Sequence, residues 1–141
     1  MDPLSFTASL LTVIGTAGLI GNGLKRVVAL KRAPAILLDL NDEVAGLYCV
    51  LQAVDFLIRK HTNIAHNAPM SSVCRSLEKS ETTLFKLEDL LRDKLTIETR
   101  DGEMRLDRRA WLFAESKVRN LKEQIRADRI ELSSALSLLA S

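Results

Sequence analysis

Apolar side chains recur at steps of three and four residues in four separate stretches of the chain. This spacing places them along one side of an α-helix, because a helix has about 3.6 residues per turn. The four repeats are Phe6, Leu10, Val13, Ala17 and Ile20; Ile36, Leu40, Val44, Leu47, Leu51, Val54 and Ile58; Val73, Leu77, Leu84, Leu87, Leu91 and Leu95; and Trp111, Ala114, Val118, Leu121, Ile125, Leu132, Ala135 and Leu139. Four such helices bury their apolar sides against one another, so the sequence predicts an all-α, up-down four-helix bundle.

Start and stop signals place the four helices at about 3–30, 34–61, 71–95 and 106–139. The pair Asp2-Pro3 is typical of a helix start, and Pro34 marks the second start. The polar stretch from His61 to Pro69 has no apolar period and predicts a linker. Residues 96–106 contain Asp101-Gly102, which fits either a small hairpin or an unstructured loop.

The composition is that of one globular domain, which we expect to cover residues 1–141. Hydrophobic residues make up 47% of the chain and charged residues 27%, a balance that excludes a disordered protein. The net charge of +2 is too small and too evenly spread for a nucleic-acid-binding protein. Cys49 and Cys74 lack disulfide or metal spacing, and we interpret them as reduced thiols of a cytoplasmic protein.

The first predicted helix has no ionisable side chain from Pro3 to Leu24. The run is long enough to span a bilayer, but about half of it consists of glycine and small polar residues, so a constitutive membrane anchor is not favoured. A secretory signal is not favoured either, because the basic residues follow the run. Ser5, Ser9, Thr12 and Thr16 share one side of the helix, which predicts a mildly amphipathic helix that packs against a protein core or against lipid.

Two groups of residues in this region have more than one interpretation. Four small residues, Gly15, Ala17, Gly18 and Gly21, predict a face where another helix approaches closely, either in a membrane or inside a soluble bundle. Four basic residues follow the uncharged run, at Lys25, Arg26, Lys31 and Arg32. They are typical of a solvated helix end, or of a juxtamembrane cluster that attracts anionic lipid headgroups.

The motifs of enzymes and of cofactor sites are missing from the sequence. The glycine run has no preceding strand and no Ser or Thr after the lysine, so it does not form a phosphate-binding loop. His61 and His66 lack metal-ligand spacing, and no side chains are arranged for acid/base catalysis. We therefore expect no enzyme activity, no cofactor and no metal. Trp111 is interpreted as a core anchor, and Asp128 is expected at a bundle edge or paired with a neighbouring arginine.

The two ends of the chain resemble a known family. Residues 1–9, Met-Asp-Pro-Leu-Ser-Phe-Thr-Ala-Ser, precede an apolar glycine-bearing helix, and Arg105-Leu106, Trp111 and the Leu/Ser-rich residues 132–139 define the last helix. This arrangement resembles the fungal N-terminal domains of STAND (NLR-like) receptors, including the HeLo-like group, over essentially the whole chain. The 141 residues carry no receptor module or prion-like tail, so either they belong to a longer protein or another chain supplies the oligomerising trigger.

The resemblance implies a cell-death effector that acts in programmed cell death, heterokaryon incompatibility or innate immunity. Such a domain is cytoplasmic at rest, oligomerises with its own copies or with a related receptor chain, and targets the plasma membrane through its first helix. On this sequence the implied membrane-targeting residues are Leu4, Phe6, Leu10, Leu11, Val13, Ile14, Leu19 and Ile20. The alternative is a soluble oligomerisation or adaptor bundle in which the first helix stays packed.

Overall fold

The computed structural model describes residues 3–30, 32–60, 68–92, 95–98 and 100–140. Four helices, α1 (Pro3–Val28), α2 (Ala35–Lys60), α3 (Ala68–Leu91) and α4 (Arg108–Ala140), form an all-α bundle, as predicted. Two short antiparallel strands, β1 (Thr96–Glu98) and β2 (Met104–Leu106), link α3 to α4, so the hairpin is the correct alternative for this connection. Gly102 lies at its tip with a positive φ of 77°, which glycine adopts without strain.

The core is formed mainly by the apolar repeats read from the sequence, but Ile58, Leu91 and Leu139 of these repeats are only half-buried. Each helix packs against two others: α1 and α4 both contact α2 and α3. α3 and α4 run in opposite directions, because Lys79 pairs with Glu131 while Thr83, further along α3, contacts the earlier Asp128. Trp111 is 9% exposed and belongs to the core cluster. One side of every helix is thereby removed from water, which is the main source of stability in a bundle.

The bounds of α2 agree with the prediction to within one residue, whereas those of α1 and α3 differ by more. α1 ends at Val28 rather than Leu30, and the glycines at 21 and 23 do not interrupt it. α3 begins at Ala68, so Pro69 belongs to the helix and not to the linker; proline is tolerated in a first turn, whose N–H groups have no partners within the helix. Residues 61–67 of the predicted linker lie outside the described residues. α3 ends at Leu91, four residues before the predicted end.

The start of α4 is set by a capping residue that the apolar repeat does not indicate. The Asp107 carboxylate oxygen Oδ1 accepts hydrogen bonds from the backbone N–H groups of Arg109 and Ala110, at 3.1 and 3.2 Å. Its own N–H donates to the carbonyl oxygen of Leu95 at 2.7 Å. Leu106 is consequently the last residue of β2 rather than the first of α4, and Leu95 is buried but lies after the end of α3.

Asp128 occupies a core position of α4 and is 7% exposed. The Thr83 hydroxyl donates a hydrogen bond to its Oδ2 at 2.8 Å. The expectation of a bundle edge or an arginine partner was therefore wrong, because the neighbouring Arg129 pairs with Glu43 of α2 at 3.2 Å. Burial raises the pKa of Asp128, and the nearby Glu131 adds to this rise, while the Thr83 hydrogen bond and Lys79 oppose it.

The closest approach at a glycine occurs on α2. A Cβ placed on Gly46 would lie 2.9 Å from Cδ of Arg129, so the absence of a side chain leaves room for this arginine to reach Glu43. The pair links α2 to α4 and is largely screened from solvent, since the two side chains are 20% and 32% exposed. The small residues of the sequence predicted close packing on α1 and did not indicate Gly46.

Candidate membrane-contact surface

The inner side of α1 is part of the bundle core. Phe6, Leu10, Val13 and Ile20 are at most 3% exposed, and Ala17 lies among them at 1%. Four of the residues expected to target a membrane are therefore turned toward α2 and α3 in the folded chain. Lipid can reach these four side chains only if α1 leaves the bundle.

The opposite side of α1 is exposed and carries no charge. We call the exposed residues Ala8, Leu11, Thr12, Gly15, Leu19 and Asn22 the outer face of α1. Leu19 is 71% exposed and Leu11 46%, whereas Ile14 is half-buried and packs against the core. The side chain of Leu4 lies outside the described part of the chain. The outer face therefore offers two large apolar side chains in a surrounding without charges.

Two hydroxyl groups of α1 are satisfied within the helix. Thr12 Oγ1 donates to the carbonyl oxygen of Ala8, and Thr16 Oγ1 donates to that of Thr12, both at 3.0 Å. A hydroxyl without a partner costs several kcal/mol in hydrocarbon, on the order of 4 to 8 by transfer measurements. Because these donors already have acceptors, the polar residues of α1 oppose contact with lipid less than their number suggests.

The glycines of α1 have different surroundings. A Cβ on Gly18 would lie 3.7 Å from Cε2 of Tyr48 on α2, an ordinary packing distance. A Cβ on Gly15 or Gly21 would meet no atom within 4 Å. Gly15 and Gly21 thus do not lie at a helix contact inside the bundle, and their close-packing role stays a prediction for contact with a second molecule.

Within the described residues, one helix is long and apolar enough to cross a membrane, Phe6–Val28. This criterion considers only length and composition, and core helices of soluble proteins and signal sequences meet it as well. In the most apolar window of this helix 28% of the residues are buried, about the same share as in α2, where seven of 26 residues are buried. At 1.5 Å per residue, the uncharged part of α1 is about 33 Å long, close to the thickness of a bilayer's hydrocarbon core.

Basic residues cluster where α1 ends. Lys25 and Arg26 are exposed on its last turns, and Arg32 follows in the link to α2; Lys31 lies outside the described residues. α1 includes Lys25 and Arg26 but ends before Arg32. Arg32 has a positive φ of 63°, a conformation that is uncommon for residues other than glycine.

An open cavity of about 790 Å³ lies beside this end of α1, between the link to α2, the hairpin and the start of α4. Arg32 lines it together with Arg105 and Arg108. In the sequence, Arg105 contributes only to the family resemblance, and Arg108 belongs to no motif. No local pattern indicates this cluster, because the hairpin brings the two residues to a link that is distant in sequence.

The arrangement defines a helical bundle whose first helix has an uncharged exposed face and a basic cluster at its end. Comparisons with protein-family models, with curated proteins and with solved structures gave no match for this chain. Among the residues that the structure describes, no three His, Cys, Asp or Glu side chains are grouped as metal ligands.

Proposed function

We propose that this chain is a HeLo-like signalling domain that oligomerises and targets the plasma membrane through α1, leading to cell death. The observation that carries the proposal is the uncharged outer face of α1, in a protein of which 27% of the residues are charged. An exposed face of this kind is well suited to lipid, because no ionised group has to be desolvated when it enters the bilayer. The protein is cytoplasmic at rest and moves to an anionic membrane on activation.

The basic end of α1 supports the same function. Lys25 and Arg26 follow directly on the uncharged run, so a helix that enters the bilayer would bring them to the headgroup region. Each basic residue near an anionic surface contributes about 1 kcal/mol of attraction at moderate ionic strength. Binding should therefore weaken as salt is added.

A release assay with dye-loaded vesicles tests the proposal. The chain is oligomerised through a fused coiled coil and added to vesicles of phosphatidylcholine and phosphatidylserine. Leu19→Glu and Leu11→Glu place a charge on the outer face without disturbing the core, because both side chains are exposed. A charge at the centre of a spanning helix costs about 2.5 to 3.5 kcal/mol, so each variant should release dye at least tenfold more slowly than the wild type.

Leu38→Glu is the matched control. Leu38 lies on α2 and is 49% exposed, close to the exposed fraction of Leu11, and this variant should release dye like the wild type. Equal loss of release in all three variants would mean that the effect is not specific to α1. Absence of release from the oligomerised wild-type chain would contradict the proposal. Leu10→Glu is unsuitable, since Leu10 is fully buried and a charge there would unfold the bundle.

The burial of Phe6, Leu10 and Val13 favours a second candidate, a soluble oligomerisation or adaptor bundle in which α1 stays packed. Its contacts would be made by folded copies or by a receptor chain, without lipid. Sedimentation across a range of concentrations separates the two. A chain that associates in solution and leaves every vesicle intact supports the adaptor, whereas a strict monomer that binds no partner contradicts it.

A further inference from the structure

The cavity at the end of α1 has the charge and the side-chain chemistry of an anion site. Its walls contain three guanidinium groups, from Arg32, Arg105 and Arg108, and one carboxylate, from Glu103, which leaves a net charge of +2. Arginine is suited to phosphate because its planar group donates two parallel hydrogen bonds to one phosphate. A phosphate monoester carries about −1.5 to −2 charges at neutral pH, which matches this cavity.

Two of the three arginines are available for a ligand. Arg105 lies 3.6 Å from Glu103, a long and exposed ion pair of little strength. Arg32 and Arg108 have no carboxylate partner among the residues that the structure describes. The nearby Asp107 is already engaged, because its carboxylate caps α4. The cavity thus gathers positive charge that the fold itself leaves largely uncompensated.

The surroundings of the cavity are partly apolar. Leu30 and Met104 line it, and Met104 is 47% exposed. Leu112 is 73% exposed and lies one helical turn after Arg108, on the same side of α4. Lys25 and Arg26, on the last turns of α1, lie about four residues before the lining residues Ala29 and Leu30 and add positive charge at this end of the bundle.

We infer that the cavity lined by Arg32, Arg105 and Arg108 binds a phosphate monoester, on a lipid headgroup or on a soluble compound. Arg32 and Arg108 hold the phosphate from the α1–α2 link and from the start of α4. Arg105 contacts it from the hairpin, after giving up its weak pair with Glu103. Only one part of the inference rests on the proposed function, namely that a lipid headgroup carries the phosphate.

Binding of two kinds of probe identifies that source. Calorimetry with glycerol 3-phosphate measures binding of a soluble monoester, and sedimentation with phosphatidylcholine vesicles containing phosphatidic acid measures binding of the same group on a lipid. Vesicles containing phosphatidylglycerol, a diester, should bind more weakly. Binding of either monoester supports the inference, and binding of phosphatidic acid alone identifies a lipid site. Binding of neither overturns the inference.

Two variant pairs test the residues. Arg32→Gln with Arg108→Gln should weaken monoester binding at least tenfold, whereas Arg126→Gln, an exposed arginine elsewhere on α4, should change it less than twofold. Arg32→Lys with Arg108→Lys keeps the charge but removes the paired donors, and it should also weaken binding. The substituted residues Arg32, Arg108 and Arg126 are all exposed, so circular dichroism should show that the variants are folded. Equal losses in the pocket and control variants, or wild-type affinity in the lysine variant, would overturn the inference.

The same measurements separate this inference from the proposed function. Leu19→Glu does not alter the cavity and should bind glycerol 3-phosphate like the wild type, although it releases vesicle contents slowly. If wild-type protein binds the monoester but never permeabilises vesicles, the cavity is a phosphate site and the proposed function is wrong. If the wild-type protein permeabilises vesicles, and the variants at Arg32 and Arg108 bind the monoester and release dye like the wild type, the cavity is not a phosphate site.

Discussion

Replacing Asp128 with Asn should raise the free energy of unfolding at neutral pH by about 1 kcal/mol, the size of one incompletely satisfied buried hydrogen bond. The Thr83 hydroxyl lies 2.8 Å from the carboxyl oxygen of Asp128 and 3.0 Å from the carbonyl oxygen of Lys79. Its single proton serves one acceptor at a time. An Asn side chain would donate to the hydroxyl oxygen, so that Thr83 could donate fully to Lys79, and no charge would be buried.

The sign of the pH dependence follows from the raised pKa. The folded chain holds the proton of Asp128 more tightly than the unfolded chain, because burial disfavours the carboxylate. This contribution to stability is complete below the unfolded pKa and is lost as the pH rises through the folded pKa. The advantage of Asp128→Asn should therefore be largest at neutral pH and shrink toward acid.

Urea unfolding of wild type and variant at several pH values measures this difference. Glu123→Gln removes the same charge from the exposed side of α4 and serves as the control, with an expected change below about 0.5 kcal/mol. A variant that is less stable than the wild type at neutral pH would refute the reasoning, as would an advantage that grows toward acid. Either result would mean that Asp128 is ionised and stabilising in the folded chain.

Three further measurements follow from burial and open space in the helices. Gly15→Ala should stabilise the chain by about 0.5 to 1 kcal/mol in urea unfolding, because its Cβ meets no atom and alanine favours the helix; a loss would refute this. Leu10→Ala should cost about 2 to 5 kcal/mol and Leu19→Ala less than about 0.5, since only Leu10 is buried; equal effects would contradict the packing. Cys74 should react with a thiol reagent at least tenfold more slowly than exposed Cys49, because burial shields it and raises its pKa; equal rates would contradict the structure.

The apolar repeats predicted the four helices and their buried sides because both follow from the period of the helix. The ends of the helices could not be predicted from this period. Leu95 continues the repeat of α3 and is buried, but it lies after the end of that helix. Asp107 begins α4 through two hydrogen bonds that the apolar pattern does not indicate. Asp128 interrupts a repeat, and the sequence does not show that Thr83 lies opposite it.

Only part of the candidate membrane-contact surface could likewise be predicted from the sequence. The missing charges of α1 are visible in the sequence, but which of its apolar residues face outward depends on the position of α2 and α3. The resemblance implies the same membrane-targeting role for Leu11 and Leu19 as for Phe6 and Leu10, although the bundle exposes the first pair and buries the second. The arginine cavity depends entirely on the tertiary fold, because the α1–α2 link, the hairpin and the start of α4 form its walls.

Under the proposed function, the burial of α1 links membrane insertion to oligomerisation. Seven residues of α1 are buried in the core: Phe6, Leu10, Val13, Ala17, Ile20, Leu24 and Val27. Exposing six large side chains to water at about 1.5 to 3 kcal/mol each would cost roughly 9 to 18 kcal/mol, which is as large as the stability of a typical domain. Lipid would compensate α1 itself, because hydrocarbon surrounds the same side chains.

Lipid around α1 does not compensate α2, α3 and α4, which lose the surface that α1 covered. Their newly exposed apolar sides would then need another partner. A second copy of the chain, opened in the same way, offers matching surfaces, since its helices have lost the same contacts. Insertion of α1 should therefore occur together with association of the remaining helices, and a variant that cannot associate should bind the membrane through its outer face without inserting.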